Sequence, residues 1–505
     1  MGKIASTSEN GQTKALRQCY ILFVSLDPNV CYEAVRARDR RFDGCFFVAV
    51  KTTGIYCRPI CPARQPARDR CVFFARAAEA ERAGFRACFR CRPELAPGNA
   101  VIDSKSRLVR LAAHRIASGY LNEHSVDDLA SSLGVTARHL RRALEDELGV
   151  SPVEFAQTQR LSIAKQLLQD TSVPLSDVAH AAGFGSIRRF NALFRQRFAR
   201  SPSAIRRTGA THLERGFIAI RLDYRPPLDW QAMLSFLAAR AIPGVESVEA
   251  GTYRRSAKIG QCAGVISVRA ARQTSALVAN ISLSLVPMLS QIVPRLRALF
   301  DLDARPTVVQ QHLVADPILM QPVRSRPGLR VPGAFDGFEL GVRAILGQQV
   351  SVTAATTLSG RFAARYGSPS EDGEASPPVV FPTAQQVAAH SSTHVKAVGI
   401  PLTRAQTIVA FARAIADGNV DLSRGLDPLR VIEDLQCLPG IGPWTAQYIA
   451  MRALNWPNAF PSGDLVLRKA LGAKTASEAE KRTLGWQPWR AYGALHLWTV
   501  ISQGG

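Results

Sequence analysis

No apolar run in this 505-residue chain reaches the length of a bilayer-spanning helix. The stretch Tyr20-Ile21-Leu22-Phe23-Val24-Ser25-Leu26 is too short, and no small-residue cleavage site follows it. Export and membrane partners are therefore not expected, and an intracellular (cytoplasmic) protein is. Acidic side chains are also scarce: 40 Asp and Glu face 63 Lys and Arg, for a formal charge of +23. The deficit is not confined to a tail. Residues 1–210 carry 33 basic against 19 acidic side chains, and the remainder carries 30 against 21. Arginine supplies most of the excess. This balance points to nucleic acid as a partner along the whole chain, with a generally basic soluble protein as the plainer alternative. An apolar fraction of 47% is ordinary for packed cores, and the length suits three or four domains. Of the ten cysteines, Cys19, Cys31, Cys45, Cys71, Cys262 and Cys437 lack metal-ligand spacing and read as reduced thiols.

The other four are placed differently. Cys57-Arg-Pro-Ile-Cys61 and Cys88-Phe-Arg-Cys91 form two close pairs separated by 26 residues. Two such pairs can close on one tetrahedral ion, and four thiolates select zinc or an iron centre over harder metals. Arg58, Arg64, Arg68, Arg70, Arg86, Arg90 and Arg92 crowd the same segment, which suits work at a phosphate backbone. A disulfide framework is disfavoured, because nothing else in the chain looks secreted.

The expected fold class is a multidomain α+β chain. Residues 1–30 read as a lead-in. Residues 31–97 form a small domain in which Phe46-Phe47-Val48-Ala49-Val50 is a buried strand and residues 79–83 a short helix. So thin a core would draw folding energy from its metal. Residues 106–207 are helical and repeat internally. Asp128-Leu129-Ala130 through Gly134-Val135-Thr136 matches Asp177-Val178-Ala179 through Gly183-Phe184-Gly185-Ser186, 49 residues on. Each unit is a short helix, a glycine turn and a Thr or Ser cap opening a second helix, the helix-turn-helix pattern. The second helices, expected at 136–147 and 186–198, carry Arg138, His139, Arg141 and Arg142 in one and Arg188, Arg189, Arg195 and Arg197 in the other. Residues 217–320 alternate apolar and polar positions as an α+β lobe. An all-α region spans 335–505, interrupted by the polar, proline-rich stretch 367–378, expected to be a mobile loop.

Residues 106–207, with Arg200-Ser201-Pro202-Ser203 at their end, resemble the AraC-type DNA-binding domain. The resemblance implies that both second helices enter successive major-groove windows of one promoter site, so that a monomer suffices. Residues 26–97 are similar to the zinc domain of the Ada methyl-phosphotriester repair proteins. The likeness rests on Arg41-Phe42-Asp43-Gly44, Thr52-Thr53-Gly54-Ile55-Tyr56-Cys57-Arg58-Pro59, Cys61 and Gly84-Phe85-Arg86-Ala87-Cys88-Phe89-Arg90-Cys91. It implies one Zn²⁺ on Cys57, Cys61, Cys88 and Cys91, with Cys57 accepting a methyl group from a methylated phosphate. Four thiolates around Zn²⁺ carry a formal −2, which opposes approach to DNA; a thioether at one position makes it −1 and favours binding. A zinc knot without chemistry is the plainer reading.

Leu438-Pro439-Gly440-Ile441-Gly442-Pro443-Trp444-Thr445 places two glycines in a tight turn whose amides, led by Gly440 and Gly442, suit a DNA phosphate. With Phe460-Pro461-Ser462-Gly463-Asp464, Pro226-Pro227-Leu228-Asp229-Trp230 and Gly347-Gln348-Gln349-Val350-Ser351, it resembles the helix-hairpin-helix glycosylases, and among them the AlkA-type 3-methyladenine glycosylases. The resemblance makes Asp464 the catalytic carboxylate. It puts Trp444, Tyr448, Trp498 and Phe236 around the flipped base, and Gln348 and Gln349 at the DNA, the latter where the family can insert an apolar wedge. Trp444 stands where bifunctional members carry the lysine nucleophile, so hydrolysis without strand cleavage is implied. No cysteine follows Cys437, which excludes an iron–sulfur cluster, and no Pro-Cys-His-Arg motif accompanies the Ada-like part. The plainer readings are Asp464 as a helix cap and Phe236 as a core aromatic. The expected function is alkylated-base excision coupled to methyl-phosphotriester transfer and transcriptional activation on double-stranded DNA, with RNA polymerase the partner an activator implies. The alternative is a methylation-sensing regulator with a silent glycosylase-like half.

Overall fold

Asp27 has a side chain short enough to reach the amides that follow it. Its Oδ1 accepts from Asn29 N at 2.7 Å and caps helix Pro28–Arg36, which therefore starts inside the expected lead-in. The computed structural model describes residues 27–98, 107–206, 216–370 and 377–501, and the chain divides into two units, Met1–Ala96 and Pro97–Gly505.

The first unit is built on four short strands, β1 (Phe47–Val50), β2 (Ile55–Cys57), β3 (Cys71–Phe74) and β4 (Arg86–Ala87), in the order β3-β1-β2-β4. β1 runs antiparallel to β2 and β3, and β4 joins β2 in parallel. Phe46 packs edge-on against Phe73 with ring centres 5.7 Å apart. Helix Ala77–Arg82 is tied to the sheet by the Tyr56 hydroxyl, which donates to Glu81 Oε1 at 2.9 Å. This core is small, and the four motif cysteines lie in it beside Cys31 and Cys71.

The second unit begins with the expected repeat. Helices Val126–Ser132 and Ala137–Leu148 form one helix-turn-helix; Leu175–Ala181 and Ile187–Phe198 form the other. Leu140, Leu144 and Leu148, and likewise Phe190, Phe194 and Phe198, recur every four residues, so each second helix buries one face. The turns need left-handed backbone at Gly134 (φ 69°) and Gly183 (φ 83°), which glycine supplies without a Cβ penalty. Helix Pro152–Asp170 joins the two motifs, and its Gln166 side chain donates to Arg221 O at 2.9 Å on the sheet that follows.

That sheet is antiparallel throughout, in the order β5-β9-β8-β7-β6: β5 (Phe217–Asp223), β6 (Glu246–Glu249), β7 (Thr252–Ile259), β8 (Cys262–Ala270) and β9 (Ala276–Ser282). A buried quartet fastens it to helix Gly337–Leu346: Arg255 reaches Glu339 at 2.7 Å, Arg343 reaches Glu246 at 3.0 Å, and the Tyr253 hydroxyl donates to Glu246 at 2.6 Å. Beyond it lie two helical clusters. One gathers residues 338–454 with Ile242 and Val245; the other gathers helices Pro306–Leu313 and Pro317–Ser325 with the C-terminal helices. The expected lobe limit at residue 320 thus crosses a shared core, because Leu313 and Leu319 pack with Trp486 and Leu495. The stretch expected to be a mobile loop carries a two-stranded ladder, Ser368–Pro369 with Val379–Val380; residues 371–376 lie outside the described ones. Among the described residues no helix is long and apolar enough to cross a membrane.

Glu339→Ala leaves Arg255 and Arg343 with Glu246 alone in a buried site. Removing one partner from a buried pair costs about 3–5 kcal/mol. Thermal unfolding of the full chain is expected to move down accordingly, while Leu465→Ala, at a residue 75% exposed, changes stability by less than ~0.5 kcal/mol. An unmoved midpoint for Glu339→Ala would show that the quartet is not a brace.

Candidate metal centre and base-excision site

Cys57 ends β2, Cys61 follows one turn later, and the segment from β4 brings Cys88 and Cys91 to the same point, through Cys88 N donating to Tyr56 O at 3.0 Å. All four Sγ atoms lie within 4.8 Å of one another. Tetrahedral zinc with Zn–S of about 2.3 Å needs sulfurs about 3.8 Å apart, so the quartet fits one ion. Hydrogen bonds within the quartet bring Cys61 down to about 7 and Cys88 below its ordinary value, and push Cys57 and Cys91 up. Four thiolates together need a cation. Backbone amides of Arg58 and Arg90 donate to Cys91 Sγ and Cys88 Sγ at 3.3 and 3.4 Å.

The arginines of this segment divide. Arg58 is 3% exposed and bound to Asp43, which is 4% exposed; its Nη1 also donates to Cys91 O at 3.2 Å. It holds the Asp43 turn against the second cysteine pair and does not face solvent. Arg92 pairs with Glu94 at 3.0 Å. Arg64, Arg70, Arg86 and Arg90 are exposed, and Arg68 is half-buried. Of the cysteines, Cys61 is half-buried and Cys57 is 9% exposed.

Both second helices of the repeat begin one residue later than expected, after their caps: Thr136 accepts from His139 N at 3.2 Å and Ser186 from Arg189 N at 3.4 Å. Arg138, Arg141, Arg142, Arg188 and Arg189 are all exposed. Arg142 meets Asp146 at 3.8 Å, a surface pair of little energetic weight.

In the glycosylase-like part, helices Pro428–Gln436 and Pro443–Ala453 flank the glycine turn. Gly440 has φ 83°, and a Cβ there would lie 2.1 Å from Thr407 Oγ1. Gly442 caps the second helix with φ −87° and open space around it. Both are exposed. Gln348 donates to Gly440 O at 2.9 Å and to Thr445 Oγ1 at 3.1 Å, so its carboxamide braces the hairpin. Arg404 in turn donates to Gln348 O at 2.7 Å. Between these anchors Gln349 is exposed in left-handed backbone, φ 55°, followed by exposed Val350 and Val352.

Asp464 is a helix cap and also the point where two indoles meet. Its Oδ1 accepts from Val466 N and Leu467 N at 3.0 Å each, opening helix Leu465–Ala470, and from Trp498 Nε1 at 3.2 Å. Its Oδ2 accepts from Trp444 Nε1 at 3.2 Å. Trp444 and Tyr448 stack with ring centres 5.3 Å apart and planes 6° from parallel. Phe236 sits differently: the guanidinium carbons of Arg240 and Arg452 stand 3.9 and 4.9 Å from its ring centre, so the arginines already occupy its π-system. Arg452, which sequence reading missed, is 3% exposed and donates to Tyr448 Oη at 2.9 Å and to Pro332 O and Gly333 O at 2.9 Å each. Its four-residue spacing from Tyr448 on one helix was the available signal.

Four family models match in chain order: the metal binding domain of Ada at 30–94, a helix-turn-helix domain at 129–208, the AlkA N-terminal domain at 219–336 and the HhH-GPD superfamily base excision DNA repair protein at 342–484. A Mycobacterium tuberculosis protein named as a probable bifunctional transcriptional activator/DNA repair enzyme AlkA is 40% identical over 481 residues, 93% of this chain and 96% of its own length. The chain belongs to that family. Its parts match separately as well. DNA-3-methyladenine glycosylase 2 of Escherichia coli is 37% identical over 277 residues, 55% of this chain and 95% of the relative. The bifunctional transcriptional activator/DNA repair enzyme Ada of the same organism is 36% identical over 130 residues, 26% of this chain and 35% of the relative. The Ada-like match and the sulfur quartet together make Cys57, Cys61, Cys88 and Cys91 the family's single zinc site.

The two hairpin glycines are expected to respond differently to substitution. Gly440→Ala forces left-handed backbone, worth ~1–3 kcal/mol, and a clash with Thr407, so affinity for undamaged duplex should fall about tenfold or more in a fluorescence anisotropy titration. Gly442→Ala should stay within about twofold, since nothing stands within 4 Å of its Cβ. Equal losses would show that the turn's conformation is not what binding needs.

Proposed function

We propose that this protein hydrolyses the N-glycosidic bond of alkylated bases of the 3-methyladenine type with Asp464, accepts the methyl group of a DNA phosphotriester on Cys57, and activates transcription once methylated. The observation that carries the first part is the meeting of Asp464, Trp444, Tyr448 and Trp498 directly behind the glycine hairpin. A silent glycosylase-like half would have no use for that set.

The carboxylate's two oxygens have unequal work. Oδ1 takes three donors and Oδ2 one, so Oδ2 keeps a lone pair for a water or for the positive charge that develops on the sugar. The capping and catalytic readings of Asp464 are thus compatible. The target base must leave the duplex; Gln349, exposed on its braced turn, is the side chain proposed to fill the gap. Trp444 in place of a lysine leaves no amine to attack the sugar, so the product is an abasic site. In the regulatory half, zinc when bound keeps its four ligands as thiolates and one of them nucleophilic. Arg138, Arg141, Arg142, Arg188 and Arg189 are proposed to read the promoter. Two helix-turn-helix units in one chain serve two groove windows without a dimer, so a monomer that contacts RNA polymerase is part of this reading.

Asp464→Asn keeps a capping oxygen and removes the charge. Release of 3-methyladenine should drop by ~10²–10⁴-fold while duplex binding persists, and wild-type product should break only with alkali. Undiminished release by Asp464→Asn defeats the assignment, and a borohydride-trapped adduct defeats the hydrolase.

Cys57→Ser should abolish methyl uptake from methylated DNA and leave excision intact. Peptide mapping of the methylated wild type should find the methyl group on Cys57; finding it on Cys61, the more exposed thiol, overturns the choice of acceptor.

A further inference from the structure

The base-pocket wall contains two buried or half-buried cations that the mechanism above does not use. A phenol oxygen offers two lone pairs and one hydrogen. At Tyr448, Arg452 Nη1 donates to that oxygen at 2.9 Å from the same helix, and the guanidinium of Arg240, just past the end of helix Trp230–Ala238, adds a second positive charge near it. Arg452 has no freedom to turn away, since its other nitrogens hold Pro332 O and Gly333 O. Both guanidiniums also rest on Phe236. Among the described residues, nothing accepts from the Tyr448 hydroxyl.

We infer that Arg452 and Arg240 are specificity-determining residues: Arg452, by donating to the Tyr448 oxygen, turns its one hydrogen toward the flipped base, and the two cations together set the charge that base meets. This inference rests on the glycosylase reading above. With Arg452 on one lone pair and the charge of Arg240 beside the oxygen, the neutral phenol meets the base as a donor, so it selects a base edge that carries an acceptor. A cationic base on the Trp444–Tyr448 face gains from the aromatic quadrupoles but also meets Arg452, whose guanidinium carbon is 5.7 Å from the Tyr448 ring centre. Loss of the phenol proton reverses the balance: the wall becomes an acceptor, and its negative charge offsets an arginine.

The surroundings place this reversal near neutrality. Burial pushes the Tyr448 phenol up, but Arg452, Arg240 and Arg343 outweigh it and bring the phenol down to about 8. Arg343, from helix Gly337–Leu346, is itself balanced by Glu246 at 3.0 Å and Glu339 at 3.4 Å, and the ring's other neighbour, Trp444, is neutral and bonded to Asp464. The folded phenol is a donor below about pH 8 and an acceptor above it. Preference for cationic over neutral lesions should therefore rise with pH.

The test is single-turnover excision by the full chain from two duplexes, one carrying 3-methyladenine and one carrying neutral 1,N6-ethenoadenine, between about pH 6.5 and 9. The ratio of the two rates removes any titration common to both substrates. In the wild type it should rise about tenfold with a midpoint near 8. In Tyr448→Phe it should be flat, and in Arg240→Gln the midpoint should move to higher pH. Arg452→Lys, which keeps the charge and loses the fork, should retain a midpoint below that of Arg452→Met. A constant wild-type ratio, or a rise that survives Tyr448→Phe, overturns the inference. If the wild type excises neither lesion, the glycosylase reading fails. The phenolate absorbance difference between wild type and Tyr448→Phe then decides separately: a midpoint near 8 supports the arginine-held phenol, and one near 10 overturns it.

Discussion

One carboxylate fixes the geometry on which the proposed excision site depends. Asp464 receives hydrogen bonds from two indoles on different helices and from two amides of the helix it opens. Trp444 belongs to the helix of the glycine hairpin and Trp498 to the C-terminal helix, so the bonds close only when the two helical clusters meet along this seam. Each indole has a single donor hydrogen and a planar ring with few rotamers. Satisfying both at 3.2 Å therefore sets the spacing between hairpin, acid and aromatic wall at once.

Arginine serves two separate purposes in this chain. Exposed arginines on the second helices of the repeat, and Arg64, Arg70, Arg86 and Arg90 around the cysteines, offer charge to phosphate. Others are interior fasteners. Arg225 holds Gly98 O and Asp303 O, Arg330 holds Asp301 O and Pro227 O, and Arg452 holds Pro332 O and Gly333 O. The planar fork spans two carbonyls on irregular segments that have no ladder to satisfy them. A formal charge of +23 thus overstates the field at the surface, since several of the charges sit inside. The same bracing gives the proposed base pocket a cationic wall, since Arg452 also holds the Pro332–Gly333 turn.

The metal unit works on another principle. Its sheet strands are two to four residues long and its apolar core is small, so the sulfurs that bind the ion are also part of the packing. Chemistry at a ligand then changes charge and fold stability together. A methyl group on one thiolate is a small covalent change, but in a domain held by four sulfurs it acts on the element that holds the rest.

Local patterns in the chain already determined the sulfur quartet, the doubled helix-turn-helix, the glycine hairpin and Asp464, because each depends on neighbours within about two turns or on a fixed spacing. Thr136 and Ser186 cap the helices that their positions announce, and the four-residue spacing of Leu140, Leu144 and Leu148 names a buried face. Contacts across long separations were decided only by tertiary structure. Arg58 looks like a phosphate contact until Asp43, fifteen residues earlier, is seen to bury it. Phe236 reads as a platform for a base, and the fold adds Arg452, from another helix, over its ring. Gln348 reads as a residue at the DNA, and the fold adds a brace that its spacing does not announce, its amide on Gly440 O, 92 residues on. A residue's type and spacing fix which bonds it can make; which partner it meets, and so whether its charge faces DNA or the interior, depends on where the rest of the chain has folded.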